Sequence, residues 1–143
     1  MRFAIVACLA MLAGANSSPA RPPALDSRSA VYELRTYYPA PGKLAALNAR
    51  FRDHTLKLFV KHGMTNVAYW NELPTTDAPE GRVVYVLAYP SRAARDEDWA
   101  AFSSDPEWRA TAAASEANGK LVAKVDSVFL TMTDYSPPLK LPR

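Results

Sequence analysis

The sequence predicts an α+β fold of the ferredoxin-like type, in which an antiparallel four-stranded sheet carries its helices on one side. Three observations predict it. Residues 31–38 alternate as a half-buried strand does, and residues 43–62 repeat apolar side chains at helical spacing. Two further strand-like runs then precede alanine-rich helical segments and a last alternating run. In chain order the predicted elements are β, α, β, β, α, β, with the second helical region split in two.

The first strand is predicted from Val31 to Tyr38 (VYELRTYY), with Glu33, Arg35 and Tyr37 on one face. The segment PAPG after it ends the strand, because proline lacks a backbone donor and glycine accepts turn conformations. A charged pair on a strand face that is to be covered must be matched. We therefore expect Glu33 and Arg35 to be matched with each other, across a dimer interface as an ion pair that fixes strand register, or with a ligand.

The first helix is predicted from about Lys43 to His62, with Gly63 as its end. At 100° per residue, His54 lies at the margin of the apolar stripe. Its ring would reach a pocket between helix and sheet or hydrogen-bond a neighbouring group of the helix. The stripe consists of Leu44, Leu47, Phe51, Thr55, Leu58 and His62.

The second half of the domain is predicted from composition and turn residues. Strands are expected at residues 66–73 and 83–89, joined by a polar loop, and a last strand at residues 123–134. Helices are expected at residues 92–103, capped by Ser91, and at residues 106–116, with Asp105 as the cap. The other face of the sheet would carry Tyr and Val side chains and would be left bare in a monomer. We therefore expect a homodimer packed sheet to sheet.

The N-terminus has the pattern of a secretory signal peptide: Arg2, an apolar run over residues 3–13, and then small residues. We divide the chain into a signal peptide (1–20), a disordered leader (21–30), one domain (31–135) and an extended tail (136–143). The predicted location is outside the cytoplasm, periplasmic or extracellular, without stable membrane insertion. Cys8, the sole cysteine, would leave with the signal peptide.

Charge does not indicate a polyanionic partner. The chain has 17 Lys and Arg against 14 Asp and Glu, and loss of Arg2 leaves a net charge of +2. The basic residues are scattered, so we predict no nucleic-acid binding. Two histidines without recognisable ligand spacing predict no metal site.

Several motifs together resemble the NIPSNAP family. They are YELR-x-Y, PGK, the helical F-x-x-H of Phe51 and His54, the YW pair, S-x-x-A-R and the DPEW turn. The resemblance covers residues 31–135 and implies a dimeric α+β barrel, a fold shared with small antibiotic-biosynthesis-type monooxygenases. It implies no established reaction. The signal peptide departs from the mitochondrial or cytoplasmic setting of many members.

Two classes of function follow. The domain either binds a small apolar or aromatic molecule between sheet and helices, without a cofactor, or it is a dimeric assembly module. The fold kinship adds an enzymatic alternative, a cofactor-free or haem-dependent monooxygenase-type reaction. The predicted ligand-binding residues are Arg35, Tyr37, His54, Tyr69, Trp70 and Tyr85.

Overall fold

The computed structural model describes residues 25–142, which form one α+β unit. The predicted signal peptide and residues 21–24 of the predicted leader lie outside this range. The elements are β1 (Val31–Pro39), α1 (Leu44–Arg50), a π-helical segment (Phe51–Thr55), α2 (Leu56–Lys61), β2 (Thr65–Asn71), β3 (Val83–Tyr89), α3 (Arg92–Ser104), α4 (Pro106–Ser115) and β4 (Val122–Leu130).

The four strands form one sheet in the order β2-β3-β1-β4, and every neighbouring pair is antiparallel. The predicted ferredoxin-like architecture is therefore confirmed. The last strand is shorter than expected and ends at Leu130 instead of residue 134. Leu130 pairs with Tyr32, near the start of β1, so no neighbouring strand remains for the residues that follow.

The first helix differs from the predicted regular α-helix. Between α1 and α2 the chain makes a π-helical turn, in which the Leu56 N–H donates to the Phe51 carbonyl five residues back. The Thr55 hydroxyl donates to the Arg50 carbonyl at 3.2 Å. A π-helical turn is wider than an α-helical one, so each of its residues turns the helix by a smaller angle. Side chains beyond Phe51 therefore point in other directions than a 100° repeat predicts.

The main core lies between the sheet and the helices. Its centre is a set of tyrosines on β3, packed against Phe59 of α2, which is 1% exposed, and against Phe102 of α3. The 100° repeat left Phe59 outside the apolar stripe, and the π-helical turn brings it into the core. The cluster contains Leu47, Phe51, Leu58, Phe59, Met64, Val83, Tyr85, Leu87, Tyr89, Phe102 and Leu121.

The opposite face of the sheet carries a smaller cluster at one end. Ala30, Tyr32 and Ala88 are buried there, and Leu25 and Leu141 from the two ends of the described chain pack on them. Residues 26–30 form a turn, in which the Ser27 carbonyl accepts a hydrogen bond from the Tyr32 hydroxyl at 2.7 Å. This part of the predicted leader is thus folded against the sheet, because Ala30 and Leu25 are apolar.

Candidate ligand-binding site

A cavity of about 120 Å³ lies beneath the π-helical segment, between the sheet and the helices. Its floor comes from Tyr37 of β1, and its walls come from α1, the π-helical segment, α2, α3 and α4. The lining is mainly aromatic, with a few polar groups. It consists of Tyr37, Arg50, Phe51, Thr55, Phe59, Trp99, Phe102, Ser103 and Trp108.

The aromatic rings hold one another in place around this cavity. Tyr37 meets Phe51 edge to face with ring centroids 5.6 Å apart, and Phe59 and Phe102 lie 5.0 Å apart. Phe102 also packs on Trp108 at 4.5 Å. Such pairs each add roughly 0.5–1.5 kcal/mol beyond simple burial, so the walls have a defined shape.

The π-helical turn places a buried hydroxyl and a guanidinium at the same cavity. Thr55 is buried and lines the cavity, as does Arg50, whose side chain is 6% exposed. One terminal nitrogen of Arg50 donates to Glu116 Oε1 at 3.1 Å and to Ser115 Oγ at 3.3 Å. The guanidinium carbon lies 5.3 Å from the centroid of the Trp108 ring. π-helical turns occur frequently at functional sites.

Next to the cavity, Glu33 is a fully buried carboxylate at the centre of a polar network. It accepts two hydrogen bonds from Arg95, at 2.7 and 3.0 Å, one from Ser127 at 2.7 Å and one from the Trp99 indole at 3.1 Å. Arg35 and the Tyr89 hydroxyl also donate to it. The carboxylate is therefore saturated with donors.

Two opposing effects act on the pKa of Glu33. Burial raises it, but the hydrogen bonds from Arg95 and Ser127 and the nearby charge of Arg35 outweigh burial and lower the pKa to about 2. The pair of Glu33 and Arg35 lies on the helix side of the sheet, covered by α3. Of the three expected ways of matching this pair, the structure shows the first: Arg35 and Glu33 pair with each other, and Arg95 and Trp99 of the same chain complete the network.

Arg35 joins this network to the tyrosines. Its Nε donates to the Tyr85 hydroxyl at 3.0 Å, and its guanidinium carbon lies 4.3 Å from the Trp99 ring centroid and 5.6 Å from that of Tyr37. Burial raises the pKa of Tyr85 well above its ordinary value, and burial likewise raises that of Tyr69. The two phenols are therefore neutral at physiological pH.

Four of the predicted site residues meet in one place. Tyr69 stacks on Tyr85 with centroids 5.2 Å apart and an angle of 9° between the planes, as β2 and β3 place these two side by side. Tyr37 meets Tyr85 edge to face at 5.3 Å, and Arg35 bonds Tyr85. Of these four, Tyr37 lines the cavity itself, and the others form the layer behind it.

The other two predicted site residues lie elsewhere. His54 is exposed and lines an open groove of about 580 Å³ on the outer surface, between α1 and α4. The π-helical turn rotates it away from the sheet, so it does not reach the cavity. Trp70 pairs with Val84, on the opposite face of the sheet from Tyr69, and is 53% exposed. It does not line the cavity, but together with Tyr69 it borders a separate open pocket of about 210 Å³ beside Phe51 and Leu56.

Arg50, Thr55 and Trp99 line the cavity, although the sequence did not identify them as site residues. The sequence does place Trp99 beside Arg95, because the two residues are four apart on one helix and so share a face.

No cluster of three or more His, Cys, Asp or Glu side chains suited to a metal ion occurs within residues 25–142. None of the helices in that same range is long and apolar enough to cross a membrane.

The family of this chain follows from a match to a family model. The NIPSNAP model matches residues 32–137, about three quarters of the chain. The chain belongs to the NIPSNAP family. This confirms the resemblance inferred from the YELR, PGK and DPEW motifs. No curated protein matches the sequence significantly.

Solved structures of other NIPSNAP proteins share the fold. A NIPSNAP-like domain protein from Burkholderia xenovorans has a TM-score of 0.65 at 19% identity, with 80% of this chain and 94% of that chain covered. A NIPSNAP family protein of unknown function from Agrobacterium tumefaciens has a TM-score of 0.63 at 22% identity, covering 77% and 94%. A cofactor-independent oxygenase from Streptomyces nogalater has a TM-score of 0.50 at 16% identity, covering 76% and 98%. At these identities the likeness concerns the fold.

Proposed function

We propose that this NIPSNAP protein binds a small aromatic molecule in the cavity beneath the π-helical segment. The observation that carries the proposal is the cavity itself. It is lined by six aromatic side chains and three polar ones, Arg50, Thr55 and Ser103. Ligand sites in proteins are typically apolar and aromatic concavities with a few polar groups that set orientation.

The volume sets the size of the ligand. The cavity measures about 120 Å³, near the roughly 150 Å³ of an engineered apolar cavity that binds benzene, and below the roughly 300–1,000 Å³ of common ligand pockets. A single ring with one small substituent fits this space.

The same residues do not fit a haem. The cavity of about 120 Å³ is too small for a macrocycle. We therefore derive no haem-dependent reaction at this site.

Binding of toluene and phenol tests the proposal. Ser103→Trp places a large side chain on an exposed residue that lines the cavity, and we expect it to weaken binding at least tenfold because it blocks the opening. Ser104→Trp is the matched control, since Ser104 is exposed on the same helix and does not line the cavity. Isothermal titration calorimetry that gave equal affinities for the two variants, or no binding to the unmodified protein, would refute the proposal.

We also propose that the protein acts as an exported homodimer. Export is supported by the basic, apolar and small-residue order of residues 1–20. Dimerisation is supported by exposed apolar side chains on the sheet face that carries no helix, including Trp70, Val128 and Leu130. Processing of the full chain in a secreting host, followed by N-terminal sequencing, tests the first part. An unprocessed chain that stays in the cytoplasm would contradict it.

A further inference from the structure

The end of α2 is tied to the junction of α3 and α4 through one carboxylate. Asp105 lies between α3 and α4 in the chain, and its side chain is 6% exposed. One of its oxygens, Oδ2, contacts His62 Nε2 at 2.6 Å and Lys61 Nζ at 2.7 Å. The other oxygen accepts the Glu107 N–H at 2.8 Å and so caps the first turn of α4. Asp105 therefore joins the end of α2 to the start of α4.

The junction around Asp105 is also a wall of the cavity. Three of the residues that line the cavity lie within three positions of it: Phe102, Ser103 and Trp108. The His62 ring packs edge to face on Phe102 with centroids 6.2 Å apart, and Phe102 packs on Trp108 at 4.5 Å. The contact of His62 with Asp105 is therefore coupled by packing to the cavity wall.

Charged groups reach this contact from each helix packed around it. Lys61 of α2 pairs with both Asp105 and Glu107, at 2.7 and 3.0 Å. Burial raises the pKa of Asp98 on α3, and the nearby charge of His62 opposes this. Hydrogen bonds from Lys61 and His62 hold the pKa of Asp105 well below its ordinary value, so this carboxylate stays ionised. Of these types of group, histidine is the one that ordinarily changes its charge between pH 6 and 8.

We propose that His62 is a pH-responsive clamp, whose protonated ring holds the α3–α4 junction on α2 and whose deprotonation loosens that wall of the cavity. Hydrogen bonds that involve charged groups are roughly twice as strong as neutral ones, so the imidazolium binds Asp105 more tightly than the neutral ring does. A wall that is already held in place spares the ligand the cost of ordering it. His62 is thus a positioning residue, and the protonated form binds ligands more tightly. The effect on affinity rests on the proposed function, whereas the effect on the fold does not.

The affinity for toluene at pH 6 and pH 8 tests the clamp, because toluene itself has no titratable group. We expect toluene to bind about threefold more weakly at pH 8. His62→Gln should give equal affinities at the two pH values, since glutamine keeps a polar group there but takes up no proton. His54→Gln is the matched control: it removes the other histidine of the chain, which is exposed in the outer groove, and it should keep the pH dependence.

Urea unfolding without ligand is the second measurement. A histidine that gains a carboxylate partner on folding stabilises the folded state at low pH, and this stability is lost as the pH rises through the folded pKa of the histidine. From pH 6 to pH 8 we expect the urea midpoint to fall by roughly 0.5 M in the unmodified protein and in His54→Gln, but not in His62→Gln.

The two measurements separate this inference from the proposed function. Toluene affinity that is equal at pH 6 and 8 in the unmodified protein, or that changes just as much in His62→Gln, overturns the clamp and leaves the cavity standing as a binding site. A urea midpoint whose pH dependence is the same with and without His62 overturns it as well. If toluene binds at neither pH, the proposed function fails, and the urea midpoints decide whether the clamp exists in the fold.

Discussion

Glu33 shows how one residue can organise the interior of this domain. Its carboxylate is fully buried, and its donors come from β1, β3, α3 and β4. Removing one partner of a buried ion pair typically costs roughly 3–5 kcal/mol, because the other charge stays buried and unpaired. The network therefore fixes how α3 lies on the sheet, and with it the position of Trp99 at the cavity.

At acidic pH the stability of the fold should depend on this carboxyl group. Its pKa falls from an ordinary 4.5 to about 2 in the folded protein. The folded state therefore gains stability above pH 4.5 and loses it as the pH falls from 4.5 towards 2, by up to about 3 kcal/mol. Glu33→Gln should remove this part of the pH dependence and lower stability at pH 7 by roughly 3–5 kcal/mol.

Urea unfolding of the unmodified protein and the Glu33→Gln variant at pH 7, 4.5 and 3 measures this pH dependence of stability. Glu80→Gln is a suitable control, because Glu80 is an exposed carboxylate in the polar loop. A free energy of unfolding that declined equally between pH 4.5 and 3 in the Glu33→Gln variant and the unmodified protein would show that Glu33 carries no such role.

Only part of the arrangement around Glu33 could be predicted from the sequence. The alternation in β1 placed Glu33, Arg35 and Tyr37 on one face, as the structure does. It did not identify the partners, because Arg95 and Ser127 lie 62 and 94 positions away from Glu33 and only the folded chain brings them together. For the same reason the side of the sheet on which the charged pair lies could not be predicted.

Among the elements, the π-helical segment has the largest effect on the site. Regular helical periodicity predicted a long helix at residues 43–62, and the chain is helical over Leu44–Lys61. It predicted His54 beside the sheet, whereas the wider turn directs His54 outward and brings Phe59 inward. Periodicity assumes one angle per residue, so a local change of helix type cannot be read from it. The bounds of β1 and β3, which pair with each other over residues 31–37 and 83–89, are predicted within one residue.

Deletion of Asp53 tests whether the π-helical turn shapes the cavity. Asp53 is exposed, and without it the segment can continue as a regular α-helix that keeps Phe51 and Phe59 on the core side. We expect the protein to stay folded, with a free energy of unfolding lowered by about 1 kcal/mol from the lost Thr55 hydrogen bond. Aromatic ligand binding should weaken at least tenfold, because Thr55 and Arg50 shift at the cavity.

Asp53→Ala is the matched control for this deletion, since it changes the same side chain and keeps the chain length. Circular dichroism and calorimetry of both variants give folding and affinity. A deletion variant that binds toluene as tightly as the control would show that the π-helical turn does not shape the cavity.

At the scale of the whole molecule, the sheet has one face packed and one face partly open. The helices cover the first, and the turn at residues 26–30 and Leu141 cover one end of the second. Val128 and Leu130 of β4 remain 51% and 42% exposed, next to Leu34 and Tyr32 of β1. An apolar surface of this kind favours association with a second copy.

Val128→Glu should therefore shift a dimer towards monomer. The substitution places a charge in the centre of the open face, where burial against a second sheet would cost several kcal/mol. Val60→Glu is the control, because Val60 is 63% exposed but belongs to α2 on the helical side. Sedimentation velocity at micromolar concentration should give a dimer for the unmodified protein and for Val60→Glu, and a monomer for Val128→Glu. A monomer in all three would rule out dimerisation through this face.

A crystal structure of the protein soaked with bromobenzene tests the central claim most directly, because the anomalous signal of bromine locates the ring. We predict a bromine site inside the cavity, in contact with Tyr37, Trp99 and Phe102. Bromine found only in the outer groove beside His54, only on the open face beside Trp70, or nowhere would contradict the claim that this cavity is a binding site for small aromatic molecules.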